Sequence, residues 1–470
     1  MAKDRGIQFE EERVFPLEQA KDALFQKMEH FWNTVSLYRN THWHRIEILV
    51  ESCHLLTWLF NQSHPQKIYW KQRDDSWEIA GVGKCIEFLP DSTGDFGPVL
   101  EKIQYFFENA QSSCRIFGGF AFSEWGCDEL WENFGWSRFW IPEVELGRDG
   151  DRYFIACNIR ISADEDLQKQ KQDWHRRLET LCFDLTARPG PLPIVLRRVD
   201  VPDQQQWKEL ISQLLVNFQR NRLNKVVLSR KSEVHLSEPI NPISLLWQLH
   251  STSTNRYVFF FQPEADIAFW GLSPERLYAR TNSHLFSEAI AGTRVRGGNP
   301  EDDARLSLEL LQSDKERFEH EQVIRSLRQS FAHLCTKIKD SQEVTILKLP
   351  HLQHLYWTIE GELKSGLNDA HILHELHPTP AVGGFPKNNA LEFLKQREPI
   401  RRGWFAAPVG WISPTKAEFA VAIRSALIRK DKLFLYAGAG IVPGSDADRE
   451  WAELENKIAP LWNLITPKRI

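Results

Sequence analysis

FAVAIRSALIRKDKLFLYAGAGIVPGSD, residues 419–446, decides the fold class of this chain. Two apolar runs, 419–428 and 433–437, flank the polar tetrad Arg429-Lys430-Asp431-Lys432. Runs of this length around a polar turn predict two antiparallel strands joined as a hairpin. Alternation along the first run puts Arg424 on one face with Ala420, Ala422 and Ala426, small neighbours that leave space around a guanidinium. Gly438-Ala439-Gly440 predicts a turn. Either it aims backbone N–H groups at an anion, or it needs glycine only for a positive φ. Ser445 predicts the cap of a last helix that stops at Ala459-Pro460.

The same mixture extends outward from this stretch. Apolar residues at Trp207, Leu210, Ile211, Leu214, Leu215 and Phe218 predict a helix over 201–221. Strands are predicted at 225–230, 258–261, 267–272 and 284–290. Asn299-Pro300-Glu301-Asp302 joins a cap, a first-position proline and an acidic first turn, and the helix it opens is predicted to run to about His333. The first half predicts strands at 118–122 and 152–161 and a charged helix over 164–182. Antiparallel strands interspersed with helices make an α+β fold. The Pro/Gly-rich loop 188–193 divides an N-terminal half, 1–190, from a second region, 195–466, with both expected in one fold.

The chain has 470 residues, 42% hydrophobic and 26% charged, with a net charge of -5 and no basic block. Those values are those of a globular protein and give nucleic-acid binding no support. No apolar run is long enough to span a membrane, and the acidic, charged N-terminus does not resemble a leader. Seven cysteines without a C-x-x-C pair read as reduced thiols in a cytoplasmic protein.

Chemistry concentrates in the second region. Glu316 and Glu319 are three residues apart on one helix, and Glu450 and Glu453 are three apart on another. Each pair shares a face. Brought together, the two faces offer four hard oxygen donors suited to Mg²⁺; kept apart, they are two solvated faces. Lys457, four residues after Glu453, fits an ordinary helix ion pair as well. Lys225 opens a strand on one face with Val227 and Ser229, and burial there would fit it to act as a base. Glu275 follows a proline between two apolar strands, where burial would raise its pKa and suit an acid. His354 and His377 read as packed or capping histidines, because no H-x-x-x-H or H-E-x-x-H occurs.

KVVLSR, SPERL, IAGTRVRG, SDKERFEHE, LHPTPAVGG, GWFAAPVGW, FAVAIRSA, AGAGIVPGSD and EWAELENK, in this order, resemble the chorismate-utilising enzymes over about residues 200–466. The resemblance implies a large anthranilate-synthase-like fold with paired antiparallel sheets and helices packed outside. It implies Mg²⁺ as cofactor, with Glu319 and Glu453 as direct ligands and Glu316 and Glu450 acting through water. It implies chorismate as substrate, bound by Gly292, Thr293, His354, Ala381, Arg424, Gly438, Gly440 and Lys457. Within the family the chain most resembles the isochorismate synthases. Lys225 stands where the ammonia-using anthranilate synthases typically carry Gln, and Ala291 where the aminodeoxychorismate branch carries a nucleophilic Lys. The expected roles are Lys225 as base for the attacking water and Glu275 as acid for the departing hydroxyl, in quinone biosynthesis (menaquinone or phylloquinone). The expected enzyme is a monomer with no obligatory glutaminase subunit. Salicylate synthase, anthranilate synthase and a non-catalytic anion-binding protein stay open as alternatives. One departure is Phe405, where many relatives have a Tyr whose phenol could reach the substrate.

Overall fold

The computed structural model of the chain describes residues 13–35, 42–91, 93–110, 114–219, 223–250, 255–349 and 352–466. Most of the N-terminal stretch weighed above as a leader, residues 1–12, lies outside them. No helix among the described residues is long and apolar enough to cross a membrane.

Two large sheets dominate. The first runs Val14–Phe15, His42–Val50, Arg152–Ile161, Val144–Asp149, Trp77–Val82, Lys67–Lys71, Tyr257–Glu264, Ile267–Ser273, Ser425–Arg429, Lys432–Ile441, Lys225–Leu236 and Val195–Val201, with Gly384–Phe385 added beside Lys225. The second runs Cys335–Asp340, Leu352–Leu363, His284–Val295, Arg276–Thr281, Lys416–Val421, Pro408–Ile412, Ile116–Phe120, Ser137–Ile141 and Ile86–Phe88. Neighbouring strands are antiparallel except Val14–Phe15 beside His42–Val50. Strands from both sides of loop 188–193 pair within each sheet: Lys67–Lys71 with Tyr257–Glu264, and Ile116–Phe120 with Pro408–Ile412.

Aromatic residues fill the space between the sheets. Trp140 of the second sheet meets Phe261 of the first at 5.8 Å between ring centroids, and Trp77 meets Trp411 at 5.2 Å. The central strands Tyr257–Glu264 and Ile267–Ser273 are buried along nearly their whole length, so they read as continuous apolar runs rather than alternating ones. Helices lie outside: Ala447–Ile465 packs on Lys432–Ile441, and Asp314–Leu334 packs on His284–Val295 and Leu352–Leu363. The α+β class and the antiparallel hairpin at 429–432 are as expected, the hairpin closing through the pair Arg429 and Lys432.

Five local expectations are corrected. The helix opened by Asn299 ends at Gln312, and a second helix begins at Asp314. Ser313 between them accepts a hydrogen bond from the Glu316 backbone N–H, so a new cap interrupts the apolar period. The last helix is capped by Asp446, whose side chain accepts from Arg449 N–H, while Ser445 Oγ accepts from Val442 N–H in the preceding turn. That helix continues through Pro460 to Ile465 because Leu461 and Ile465 bury their side chains beyond the proline. The run 419–428 is two strands, not one: Lys416–Val421 belongs to the second sheet and Ser425–Arg429 to the first. Finally, Gly438 and Gly440 lie inside the strand Lys432–Ile441, opposite Ser229 and Val227, and make no turn.

Phe261 touches Trp140 and Trp404 and is almost wholly buried. Phe261→Ala is expected to cost about 3–5 kcal/mol of stability, read as a lowered denaturant midpoint. An unchanged midpoint would show that the two sheets do not depend on this contact.

Candidate active site

The site forms where the chain passes from one sheet to the other. Ile267–Ser273 of the first sheet leads through Pro274-Glu275 into Arg276–Thr281 of the second. Lys416–Val421 of the second leads through Ala422-Ile423-Arg424 into Ser425–Arg429 of the first. The two crossings are stitched side by side. Leu272 N–H donates to Arg424 O at 3.1 Å, Val421 N–H donates to Glu275 O at 3.0 Å, and Ser273 Oγ donates to Val421 O at 2.6 Å. Glu275 and Arg424 are therefore held beside each other by backbone geometry. Arg424 has φ +53°, a left-handed conformation uncommon for a side-chain-bearing residue. It stands in a bend, so the shared face with Ala420, Ala422 and Ala426 does not exist.

Lys225, at the start of its strand, is 3% exposed, and its Nζ lies 3.3 Å from Glu319 Oε2. Gly440 of the neighbouring strand makes room for this pair. A Cβ there would stand 2.9 Å from Lys225 Cε and 3.3 Å from Glu319 Oε2. Its purpose is clearance rather than a turn. Gly438 contributes its carbonyl, which accepts from Lys457 Nζ at 2.7 Å. Lys457 also makes the ordinary helix pair with Glu453 Oε1, 2.7 Å away.

The two acidic helices do face one another. Lys315 Nζ lies 2.9 Å from Glu450 Oε1 and 4.0 Å from Glu319 Oε1, bridging the helices. Glu316 Oε1 is 3.1 Å from Arg294. Glu450 and Glu453 are within hydrogen-bonding reach of each other. Burial raises the pKa of Glu450, with Glu453 adding to the effect. Burial works against ionisation of Glu453 too, but Lys457 and Lys315 outweigh it and hold its pKa down. Two carboxylates pressed together in this way favour a cation between them. Among the described residues, however, no three His, Cys, Asp or Glu side chains converge as a ligand group, and the carboxylates are shared out among Lys225, Lys315, Lys457 and Arg294.

Burial pushes the Glu275 carboxyl up to about 7, and the Glu288 carboxylate pushes the same way. Lys225 and Lys457 oppose the rise, so both ammonium groups lie within electrostatic range of it. Glu288 is itself buried and ion-paired to Arg73, and it accepts from Tyr356 Oη at 3.1 Å. Burial also lowers the pKa of Arg424, to about 10; Arg256 lowers it further and Glu453 opposes.

His354 is buried, with Nδ1 2.9 Å from Gly292 O. Gly292 has φ +63°, and a Cβ there would stand 2.9 Å from Glu316 Oε2. Ala381 is half-buried in the turn whose Gly383 O accepts from Val227 N–H, next to Lys225 along the sheet. The side chain of Thr293 lies outside the described residues. His377 stands apart as a buried helix C-cap, bonded through Nε2 to Phe122 O at 3.0 Å. Phe405 is buried and stacked on Tyr436 at 5.1 Å. Sequence reading missed Lys315, Arg294, Glu288 and Arg256. Lys315 had a signal in its spacing of four from Glu319; the others are joined to the site only by folding.

A family model described as chorismate binding enzyme matches residues 29–466. Isochorismate synthase MenF of Bacillus subtilis is 30% identical over 422 residues, covering 86% of this chain and 88% of that protein. Among solved structures, MenF, the menaquinone-specific isochorismate synthase from Escherichia coli, superposes with a TM-score of 0.83 at 28% identity, over 94% of this chain and 100% of that one. Anthranilate synthase component I from Streptococcus pneumoniae shares the fold, with a TM-score of 0.66 at 20% identity over 81% of this chain and 91% of its own. The chain belongs to the chorismate-binding enzyme family.

The raised pKa of Glu275 makes a prediction about stability. An unfolded glutamate loses its proton near 4.5, the folded Glu275 only near 7. Between these values the unfolded state gives up the proton first, so stability falls as pH rises through the window. Glu275→Gln removes the titration. The variant is expected to be more stable than the native protein near pH 8 by up to about 3 kcal/mol, and equal to it near pH 4. Denaturant midpoints at the two pH values check this. A constant difference between the proteins would mean that Glu275 ionises normally.

Proposed function

We propose that this chorismate-binding enzyme is an isochorismate synthase. Water adds to C2 of chorismate, the ring double bonds shift, and the C4 hydroxyl leaves. One observation carries the reading of mechanism. Lys225 and Glu275, a buried amine and a carboxyl with pKa near 7, come from different strands yet lie within electrostatic range of one another. Lys225 takes a proton from the attacking water, and Glu275 gives one to the departing hydroxyl. Atoms balance, because one water enters and one leaves; the two side chains then exchange protons with solvent. General acid and base help of this kind is worth about 10²–10⁴-fold per group. An acid with pKa near 7 keeps its proton at neutral pH and gives it up readily, as the departing hydroxyl requires.

Chorismate carries two carboxylates, and the site offers two kinds of positive end. Arg424 stands ready for one carboxylate, with Lys457 adding charge nearby. At the other end, Glu319 and Glu453 would hold Mg²⁺ directly, with Glu316 and Glu450 through water. The oxygen donors suit that ion, and the crowding of Glu450 against Glu453 supports it. When bound, Mg²⁺ supplies fixed positive charge that balances and orients a substrate carboxylate. His354 and Ala381 are assigned to the walls around the ring, Gly438 and Gly440 to substrate carboxylate oxygens beside Arg424, and Gly292 and Thr293 to further substrate contacts. Every group named comes from one chain, which supports a monomer working without a glutaminase subunit, and the free cysteines support a cytoplasmic location. The Escherichia coli relative, named as menaquinone-specific, supports quinone synthesis as the pathway.

Incubation with chorismate and Mg²⁺, followed by chromatography, is expected to give isochorismate that partly reverts to chorismate and does not form in EDTA. Salicylate with pyruvate, or an ammonium-dependent aminated product, would overturn the reading. Lys225→Ala and Glu275→Gln are each expected to lower kcat by at least about 100-fold with the fold retained. The native rate is expected to fall as pH rises above about 7, where Glu275 loses its proton. Full activity in either variant would remove that residue from the chemistry.

A further inference from the structure

The chemistry proposed above leaves Arg256 unused. It directly precedes the strand Tyr257–Glu264, in which Tyr257 pairs with Ser273 across the sheet. Arg256 therefore comes level with the Pro274-Glu275 crossing. The next residue pair along, Val258 with Leu272, is the one whose Leu272 N–H bonds to Arg424 O. Three adjacent chain segments thus bring Arg256, Glu275 and Arg424 to one end of three neighbouring strands inside the first sheet.

The two arginines at this end differ from the other half-buried arginines described, of which Arg115 lies over Trp77 and Trp411. Arg45, Arg73, Arg276, Arg280, Arg296 and Arg402 are each bound to a carboxylate. Arg256 and Arg424 are both half-buried, and among the described residues neither side chain has a hydrogen-bond or ion-pair partner. They are near enough to repel each other, and both act on His354. Glu453, the carboxylate that acts on Arg424, is already bonded to Lys457. Two partly desolvated guanidinium groups within electrostatic range of each other are costly unless an anion binds beside them. The planar fork of Arg suits a carboxylate, and two forks can enclose one from both sides.

We infer that Arg256 is a second carboxylate-binding residue of this site, closing with Arg424 on the substrate carboxylate farther from the four glutamates. The inference rests on the reading that the substrate is a dicarboxylate, and it adds a residue that sets affinity and not the chemical step. Arg256 makes the same contact before and after the hydroxyl moves, so it contributes uniform binding.

The test separates affinity from turnover. Arg256→Gln is expected to raise the KM for chorismate by about 10–100-fold, the size of a lost charge-assisted hydrogen bond, and to change kcat less than about threefold. Arg256→Lys keeps the charge without the fork and is expected to recover part of the loss. Calorimetry with chorismate gives a second readout that needs no turnover: in a Glu275→Gln background, adding Arg256→Gln is expected to weaken binding by the same factor. Near-ultraviolet circular dichroism checks that each variant is folded. An unchanged KM together with unchanged affinity would overturn the inference, as would a kcat loss with no change in affinity. Failure of the functional reading looks different, since the native enzyme would then form no isochorismate and the calorimetric comparison alone would judge Arg256.

Discussion

The site depends on two strands that leave one sheet and enter the other at the same place. A lone crossing would leave backbone N–H and C=O groups unpaired at a buried point, which is costly. Here each crossing satisfies the other, through Leu272 to Arg424, Val421 to Glu275 and Ser273 to Val421. The strained φ of Arg424 belongs to this arrangement. It turns the chain from sheet to sheet within three residues, and the residue that turns is also the one proposed to hold the substrate carboxylate. Loss of the stitching would release acid and arginine together.

Charge in this protein is handled by position more than by total. The net charge is only -5, yet carboxylates and cations are sorted finely around the site. The helix carboxylates share Lys225, Lys315, Lys457 and Arg294. Glu288, behind Glu275, is neutralised by Arg73 and still raises its neighbour's pKa. Glu275 is thereby kept protonated by burial and by a buried negative charge, while two lysines limit the rise. That balance puts an ordinary carboxyl near neutrality, where an acid catalyst is most useful.

Phe405 shows why an aligned position needs its surroundings. From the motif alone, a phenylalanine there reads as a missing hydroxyl in the substrate pocket. In the structure its ring is also buried and stacked on Tyr436, so the position carries packing as well. The glycines of AGAG carry the same lesson. Their spacing suggested a turn, but they sit in a paired strand and matter because a Cβ on Gly440 would collide with Lys225.

Local order was legible from the residues alone. Apolar periodicity and cap chemistry marked several helices and strands, including Arg152–Ile161 to the residue and the hairpin at 429–432. The motif words pointed to Lys225, Glu275, the paired glutamates and Arg424 because chemistry needs those residue types in that order. The unbroken strand through Arg424 was misread because its apolar pattern runs on while the backbone changes sheets; burial on both sides looks the same in either sheet. The break at Ser313 and the helix through Pro460 were decided by a side-chain cap and by burial beyond the proline. Only tertiary structure could place Arg256 beside Arg424, Glu288 behind Glu275 and Lys315 between the acidic helices. Arg256 and Arg424 are 168 positions apart and Lys315 and Glu450 are 135 apart, while Glu288 is 13 from Glu275 but on another strand, and no local pattern encodes which charge will stand opposite.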